Sequence, residues 1–468
     1  MGLLSSTRAR APGLQKHHRA GRPSYTVSHS SRQRRQQNHG GRYIHQPYIS
    51  PSPPSSQDRS SILTPLTPAE PSPNDTDEEY VWSRIHQLST HAWRSDPLFK
   101  PFYHPTGLIL SAVTDAVYAH VLADVRREAG AWTPLTSPAD FRATMPSGVL
   151  NGAFPWWRGF WKRQGCGWVF ARGALVAAYE EARRLGVRFV TGDPRGRVEG
   201  LVYDSAGAEV LGARTADGTK HMADRTVLAA GANSDLLLDF EKQLRPTAWT
   251  LSHVPLTEEE AGLCRELPVL FNAERGFFIE PDAEKRELKV CDEHPGYCNF
   301  VIGKNGEMRS VPFARQQIPV EAAERAHQLL RDTIGGDIAE REFSFARICW
   351  DADTVDRIFL IDRHPRYRRL VVAVGGSGNG FMNMSAVGLL VADALEDRME
   401  PRLRKMLRWR PEIAVDRDWW DTQGRFGGEY KVMDFKDVKE WTNVGGITDE
   451  VTQRSLSDAV RHEEKSDS

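Results

Sequence analysis

Residues 370–384 read LVVAVGGSGNGFMNM, and no other stretch constrains the fold as much. Five apolar residues in a row predict a strand buried on both faces; four glycines follow within six residues. SAVGLLVADALED then places small and apolar residues at helical spacing. A strand, a turn without side chains and a helix, in that order, form one unit of an α/β layer with parallel strands. The turn lets a ligand approach the backbone, and the helix start offers free N–H groups and the positive end of its dipole.

Gly376, Gly378 and Gly380 fall as G-x-G-x-G, which differs from the dinucleotide pattern G-x-G-x-x-G. No second strand ending in an acid follows about 20 residues on, as that pattern requires; Glu396 and Asp397 sit at a helix end. Taken alone, the turn is either a tight packing turn or a cradle for a phosphate or an anionic flavin ring.

Elsewhere the pattern alternates. YVWSRIHQLSTHAW has the helical period, YHPTGLILSA reads as a turn and a strand, and ARGALVAAYEEARRLGVRFVTG reads as a helix stopped by Gly186 before a strand. RTVLAAGANS is a strand running into a small-residue turn, and EAAERAHQLLRDTIG is a helix. From Leu244 to Ser310 short strands punctuated by Gly, Pro and Asp predict an antiparallel sheet. The chain thus reads as a parallel α/β layer that leaves for an antiparallel sheet and returns.

Residues 1–77 are rich in Ser, Pro, Arg, His and Gln and too poor in apolar residues to offset their ordering entropy, so they read as disordered. Their first 45 residues hold nine Lys/Arg and no Asp/Glu. Three functions compete with plain disorder: a myristoylation start in MGLLSS, through Gly2 and Ser6, a transit peptide, and a basic arm for nucleic acid. The net charge of −1 over 468 residues favours neither a nucleic-acid partner nor a membrane surface. No apolar run reaches the ~18 residues of a membrane span. Five widely spaced cysteines (Cys166, Cys264, Cys291, Cys298, Cys349) fit a reducing compartment and no zinc pattern. The C-terminal KSDS is not a peroxisomal ending, which leaves the cytosol as the expected location.

Several stretches together resemble the fungal fructosyl amino acid oxidases (amadoriases), relatives of monomeric sarcosine oxidase. They are LRPTAWTLSHVPLT, ERGFFIEPD, KVCDEHPGY, FSFARICWDADT, FLIDRHPRY, the glycine turn, GRFGG and VMDFKDVKEWTNV. The resemblance implies an α/β flavin-binding layer of the FAD/NAD(P)-binding, glutathione reductase-like class, with an antiparallel α+β substrate domain. On this division residues 78–445 form the oxidoreductase. Its flavin parts fall at about 160–243 and 340–445, its substrate parts at about 105–160 and 244–340, and 446–468 form a disordered tail. It implies FAD, and oxidation of a secondary or glycated amine by O2 to an imine and H2O2, in a monomer without nucleic-acid or membrane partners.

Site residues follow from the same resemblance. Cys349 in RICWDADT matches the cysteine that bonds the flavin; read on its own it is a buried core cysteine. Arg347, two residues back on the same strand face, would favour the thiolate. Lys289 matches the lysine that assists oxygen reduction, although by alternation alone it is a solvated strand residue. Glu293 matches the glutamate that contacts the substrate amine; otherwise it is a surface acid or a partner for His294. Arg425 in GRFGG matches the arginine that holds the substrate carboxylate; otherwise it is an ordinary loop arginine. Gly376, Gly378, Gly380 and Phe381 correspond to the cofactor-contacting turn.

Two departures stand out. Where the family reads F-K-[YF]-L-P, this chain has Phe381, Met382, Asn383, Met384 and Ser385, so the substrate-binding lysine is Met382. Losing one charged hydrogen bond costs ~1.5–3 kcal/mol, which puts substrate choice in question and offers a wall for a different amine. The family also begins with a strand, a G-x-G-x-x-G turn and a helix for the ADP half of FAD, and residues 1–77 show none of them. That difference predicts a misplaced gene start or a degenerate copy, with poor folding or weak FAD retention. The rival functions are therefore an inactive fragment of the family and a sibling oxidase of the sarcosine or pipecolate type.

Overall fold

A computed structural model describes residues 3–5, 43–45, 60–63, 71–72 and 74–443, except 127–129, 283, 304–305 and 428–430. Readings of Gly2 and Ser6, and of the tail after residue 445, lie outside the described residues. Nine strands frame the functional region. They are β1 (Leu3–Ser5), β2 (Tyr43–His45), β3 (Arg188–Val190), β4 (Thr226–Leu228), β5 (Arg245–Pro255), β6 (Glu287–Asp292), β7 (Phe345–Asp353), β8 (Leu360–Arg363) and β9 (Leu370–Val374).

The strand read from LVVAV is β9, and all five of its residues are buried. It runs parallel to β4 and antiparallel to β8 in a sheet of order β8–β9–β4–β1–β2–β3. Helix α1 (Asp77–Ser95) covers this sheet together with α3 (Met384–Glu396). Val81, Ile85, Val227, Val371, Leu390 and Val391 share one apolar cluster between them. Each such side chain contributes about 1.5–3 kcal/mol when fully buried. The start of α1 is fixed by a capping box: Thr76 Oγ1 accepts from the Glu79 N–H at 3.2 Å, and Glu79 Oε2 accepts from the Thr76 N–H at 2.9 Å.

Residues 1–77 correct one expectation. The sequence predicts no strand there, yet β1, β2 and Ser60–Leu63 pair with the folded body. Leu4 faces Val227 antiparallel, β2 runs antiparallel to β1, and β2 runs parallel to β3. Strands β4 and β3 thereby receive backbone partners, a requirement of hydrogen bonding that side-chain pattern does not advertise. Among the described residues this segment supplies no parallel strand–helix–strand unit.

The antiparallel region is built on β5, eleven residues long, with β6 along one edge and β7 along the other in a ten-stranded sheet. Helix α2 (Val320–Thr333) lays Ala322, Ala326, Leu329 and Leu330 over Leu288 and Val290 of β6. That packing decides which side of the sheet stays available for chemistry.

Candidate active site

Alternation sends Leu288 and Val290 under α2, so Lys289 and Cys291 take the opposite face of β6. Register carries that face across three strands. His253 lies opposite Lys289, Leu251 opposite Arg347, and Trp249 opposite Cys349. Directly paired residues share a face. Lys289, Cys291, Trp249, Arg347, Cys349 and Asp351 therefore line one surface, and all six are half-buried. Burial pushes the Cys291 thiol up to about 12, while Lys289 draws it down and Cys349, Asp292 and Glu293 raise it further.

Asp353 closes one end of this face. Burial works against its ionisation, yet Arg425 and Arg245 hold its carboxyl below the ordinary range. Arg425 grips it with both terminal nitrogens at 2.9 Å. The same guanidinium donates to Gln423 Oε1 at 3.1 Å and to the Ser377 carbonyl at 3.3 Å, and lies 4.5 Å over the Trp249 ring. Arg245 stands 3.5 Å from Asp353 and is anchored by the carbonyls of Trp419 and Asp421 at 3.0 and 2.7 Å.

Glu293 follows β6 at the rim of the same face. Burial raises its carboxyl to about 8, opposed by Arg425 and Arg357 and aided by Asp292. It is therefore a neutral, proton-holding carboxyl at neutral pH. Its neighbour His294 takes up a structural place, accepting from the Gly296 N–H at 3.0 Å, with burial lowering its ring to about 4.

The glycine turn docks against β7. Gly378, with φ of +89°, donates its N–H to the Asp351 carboxylate. A Cβ on Gly376 would stand 3.1 Å from Asp351 Oδ1 and 3.2 Å from the Gly380 Cα, too close for any other residue without a shift. Beyond the turn, α3 follows Asn383 without a side-chain cap, and its first N–H, that of Met384, donates to the Phe381 carbonyl at 3.1 Å. Burial, and then Asp353, lift Asp351 to about 6.

Among the sequence-derived candidates, the structure brings Cys349, Lys289, Glu293, Arg425 and the glycine turn to one place. It puts Met382 and Phe381 elsewhere, in an apolar cluster with Trp93 and Val169, where the Trp93 indole donates to the Met382 carbonyl at 2.7 Å. Asp351, Asp353 and Arg357 went unread. The signal was available, because acids at two-residue spacing after Cys349 on a strand must share its face. The donor set fits a flavin: a half-buried thiol and a lysine on one face, and a glycine turn ending in an uncapped helix. Among the described residues no group of His, Cys, Asp and Glu could hold a metal ion, and no helix is long and apolar enough to cross a membrane.

Comparison with known proteins finds relatives of the whole fold. The model of the FAD dependent oxidoreductase (DAO) family matches residues 40–394. The structure of Amadoriase I, a fructosyl amine:oxygen oxidoreductase of Aspergillus fumigatus, is 50% identical and superposes with a TM-score of 0.82, covering 86% of this chain and 92% of that one. The deglycating fructosamine oxidase Amadoriase II of the same fungus is 48% identical, with a TM-score of 0.81 over 86% and 91% of the two chains. L-saccharopine oxidase of Schizosaccharomyces pombe is 25% identical over 363 residues, 73% of this chain and 83% of its own length.

Proposed function

This chain belongs to the FAD dependent oxidoreductase (DAO) family, among its amadoriase-like members, and from that premise we propose that it oxidises a glycated or other secondary amino acid at the CH–NH bond. The observation that carries this reading is the single face that joins Cys349, Lys289 and Trp249 beside the glycine turn. Bound against that face, FAD supplies a two-electron acceptor that O2 restores, so the overall change is amine plus O2 to imine plus H2O2.

The chain's own groups do the placing. The Cys349 thiol would be the covalent tether for the cofactor, with Arg347 two residues back on the same strand face. Gly376, Gly378 and Gly380 would let the cofactor approach bare backbone, and the start of α3 would offer it the positive end of the helix dipole. The Lys289 ammonium offers a fixed positive charge to oxygen as it is reduced. Glu293 orients the amine nitrogen, and Arg425, held by Asp353, completes the electrostatic frame around the substrate carboxylate. We carry forward the division into flavin parts at 160–243 and 340–445 and substrate parts at 105–160 and 244–340, with β7, which bears Cys349, joining the two by pairing with β5. Five free cysteines fit a reducing compartment such as the cytosol.

A sibling substrate is the second reading, favoured by Met382 standing in an apolar cluster where the family carries a lysine. Peroxide release with fructosyl-valine, fructosyl-lysine, sarcosine and pipecolate separates the two. Turnover confined to the fructosyl compounds makes the substrate a glycated amino acid, turnover of sarcosine or pipecolate makes it a simple secondary amino acid, and no peroxide from any of them contradicts both.

A further inference from the structure

Arg357 stands in the turn after β7 with a left-handed backbone, φ of +60°, which a non-glycine residue adopts at a cost of about 1–3 kcal/mol when nothing compensates. Its terminal nitrogens reach only the carbonyls of Gln423 at 3.4 Å and Ser377 at 3.5 Å, and its buried Nε has no partner. No carboxylate is paired with it among the described residues; Asp353, Glu293 and Asp351 act on it only from a distance. Arg425 differs at each point. It is doubly bonded to Asp353, and it shares the Ser377 carbonyl with Arg357. Two guanidiniums thus converge on one carbonyl, with one saturated by protein and the other left with donors to spare. A half-buried guanidinium in that condition is completed by a planar anion with two oxygens.

We propose that Arg357 is a specificity residue that receives the carboxylate of the amine substrate, while Glu293 faces its nitrogen and Arg425 stays committed to Asp353. The inference rests on the amine-oxidase reading and deepens it. The chain carries Met382 where the family has a lysine, and Arg357 supplies a positive charge against the Ser377 carbonyl of the glycine turn. Substrates whose carboxylate is amidated lose this contact, so the enzyme selects free amino acids over their amides.

The test uses methylthioacetate, a thioether that mimics an N-methyl amino acid and cannot yield an imine, together with its primary amide. Binding of each is read by tryptophan fluorescence on wild type, R357N and R357K; asparagine tolerates left-handed backbone well. Wild type is expected to prefer the carboxylate. R357N should weaken the carboxylate by about 10- to 100-fold with the amide unchanged, and R357K should restore part of the difference. R357Q serves in place of R357N if that variant fails to fold. An unchanged carboxylate-to-amide ratio in the neutral variant overturns the proposal, as does a wild type without preference. Bound flavin is measured separately by absorbance. Its absence from a wild type that still discriminates would sink the oxidase reading and leave Arg357's role standing. Flavin lost in R357N with discrimination intact would assign the guanidinium to the cofactor and refute the proposal.

Discussion

Around β9 the interior is apolar on both sides of the sheet, and Val371, Leu390 and Val391 meet without a charged group among them. Around Cys349 the interior is charged: Asp353, Arg245 and Arg425 are each less than a tenth exposed, Arg425 hydrogen-bonds Asp353 and Arg245 forms an ion pair with it at 3.5 Å. The first region is stabilised by area removed from water, which tolerates small rearrangements. The second is stabilised only while every partner is present, since an uncompensated buried charge is costly. A fold uses the first kind of interior to exist, and this chain keeps the second kind where its chemistry sits.

Breaking the charged region should show the larger effect. Asp353→Asn leaves two buried guanidiniums without their counter-charge and should cost about 3–5 kcal/mol in urea unfolding. Leu390→Ala in the apolar layer should cost about 2–5 kcal/mol through lost burial and the cavity left behind, without altering ligand preference. Equal ligand effects from both substitutions would erase the distinction between the regions.

Glu293 sharpens the comparison through pH. Its folded carboxyl titrates near 8, above the ordinary value of 4.5, so the unfolded chain releases its proton first. The contribution of Glu293 to stability therefore falls as pH rises from about 4.5 towards about 8, and is flat beyond. Glu293→Gln should flatten that slope and remove an inflection near 8 from the pH profile of kcat/KM. A profile unchanged by the substitution would contradict the placement. The smallest effect belongs to the helix start: Thr76→Ala should cost about 0.5–2 kcal/mol in stability, with site properties untouched.

The apolar region was legible in the sequence because its signals are local. LVVAV, the glycines and SAVGLLVADALED announce strand, turn and helix, and the structure places them at Leu370–Val374 and Met384–Glu396. Gly186 likewise follows the helix Ala171–Arg184 with φ of +86°. The charged face was half legible. Cys349, Lys289, Glu293 and Arg425 were picked out by resemblance, but no local rule brings residues 289, 349 and 425 together. Strand register does that, through β5. Arg357 was invisible because its distinction is a missing partner, which no linear pattern records. β1 and β2 were unread because three-residue strands of mixed composition carry no period, and only the sheet's unsatisfied edges call for them.

The central claim is that a flavin lies on the face shared by Cys349 and Lys289, fastened through Cys349. It is tested most directly by acid-precipitating the purified full chain and its Cys349→Ser variant and reading the absorbance of pellet and supernatant. Yellow colour retained in the wild-type pellet and released by the variant is the predicted result. A colourless wild-type pellet from a protein that takes up no flavin in either form would contradict it.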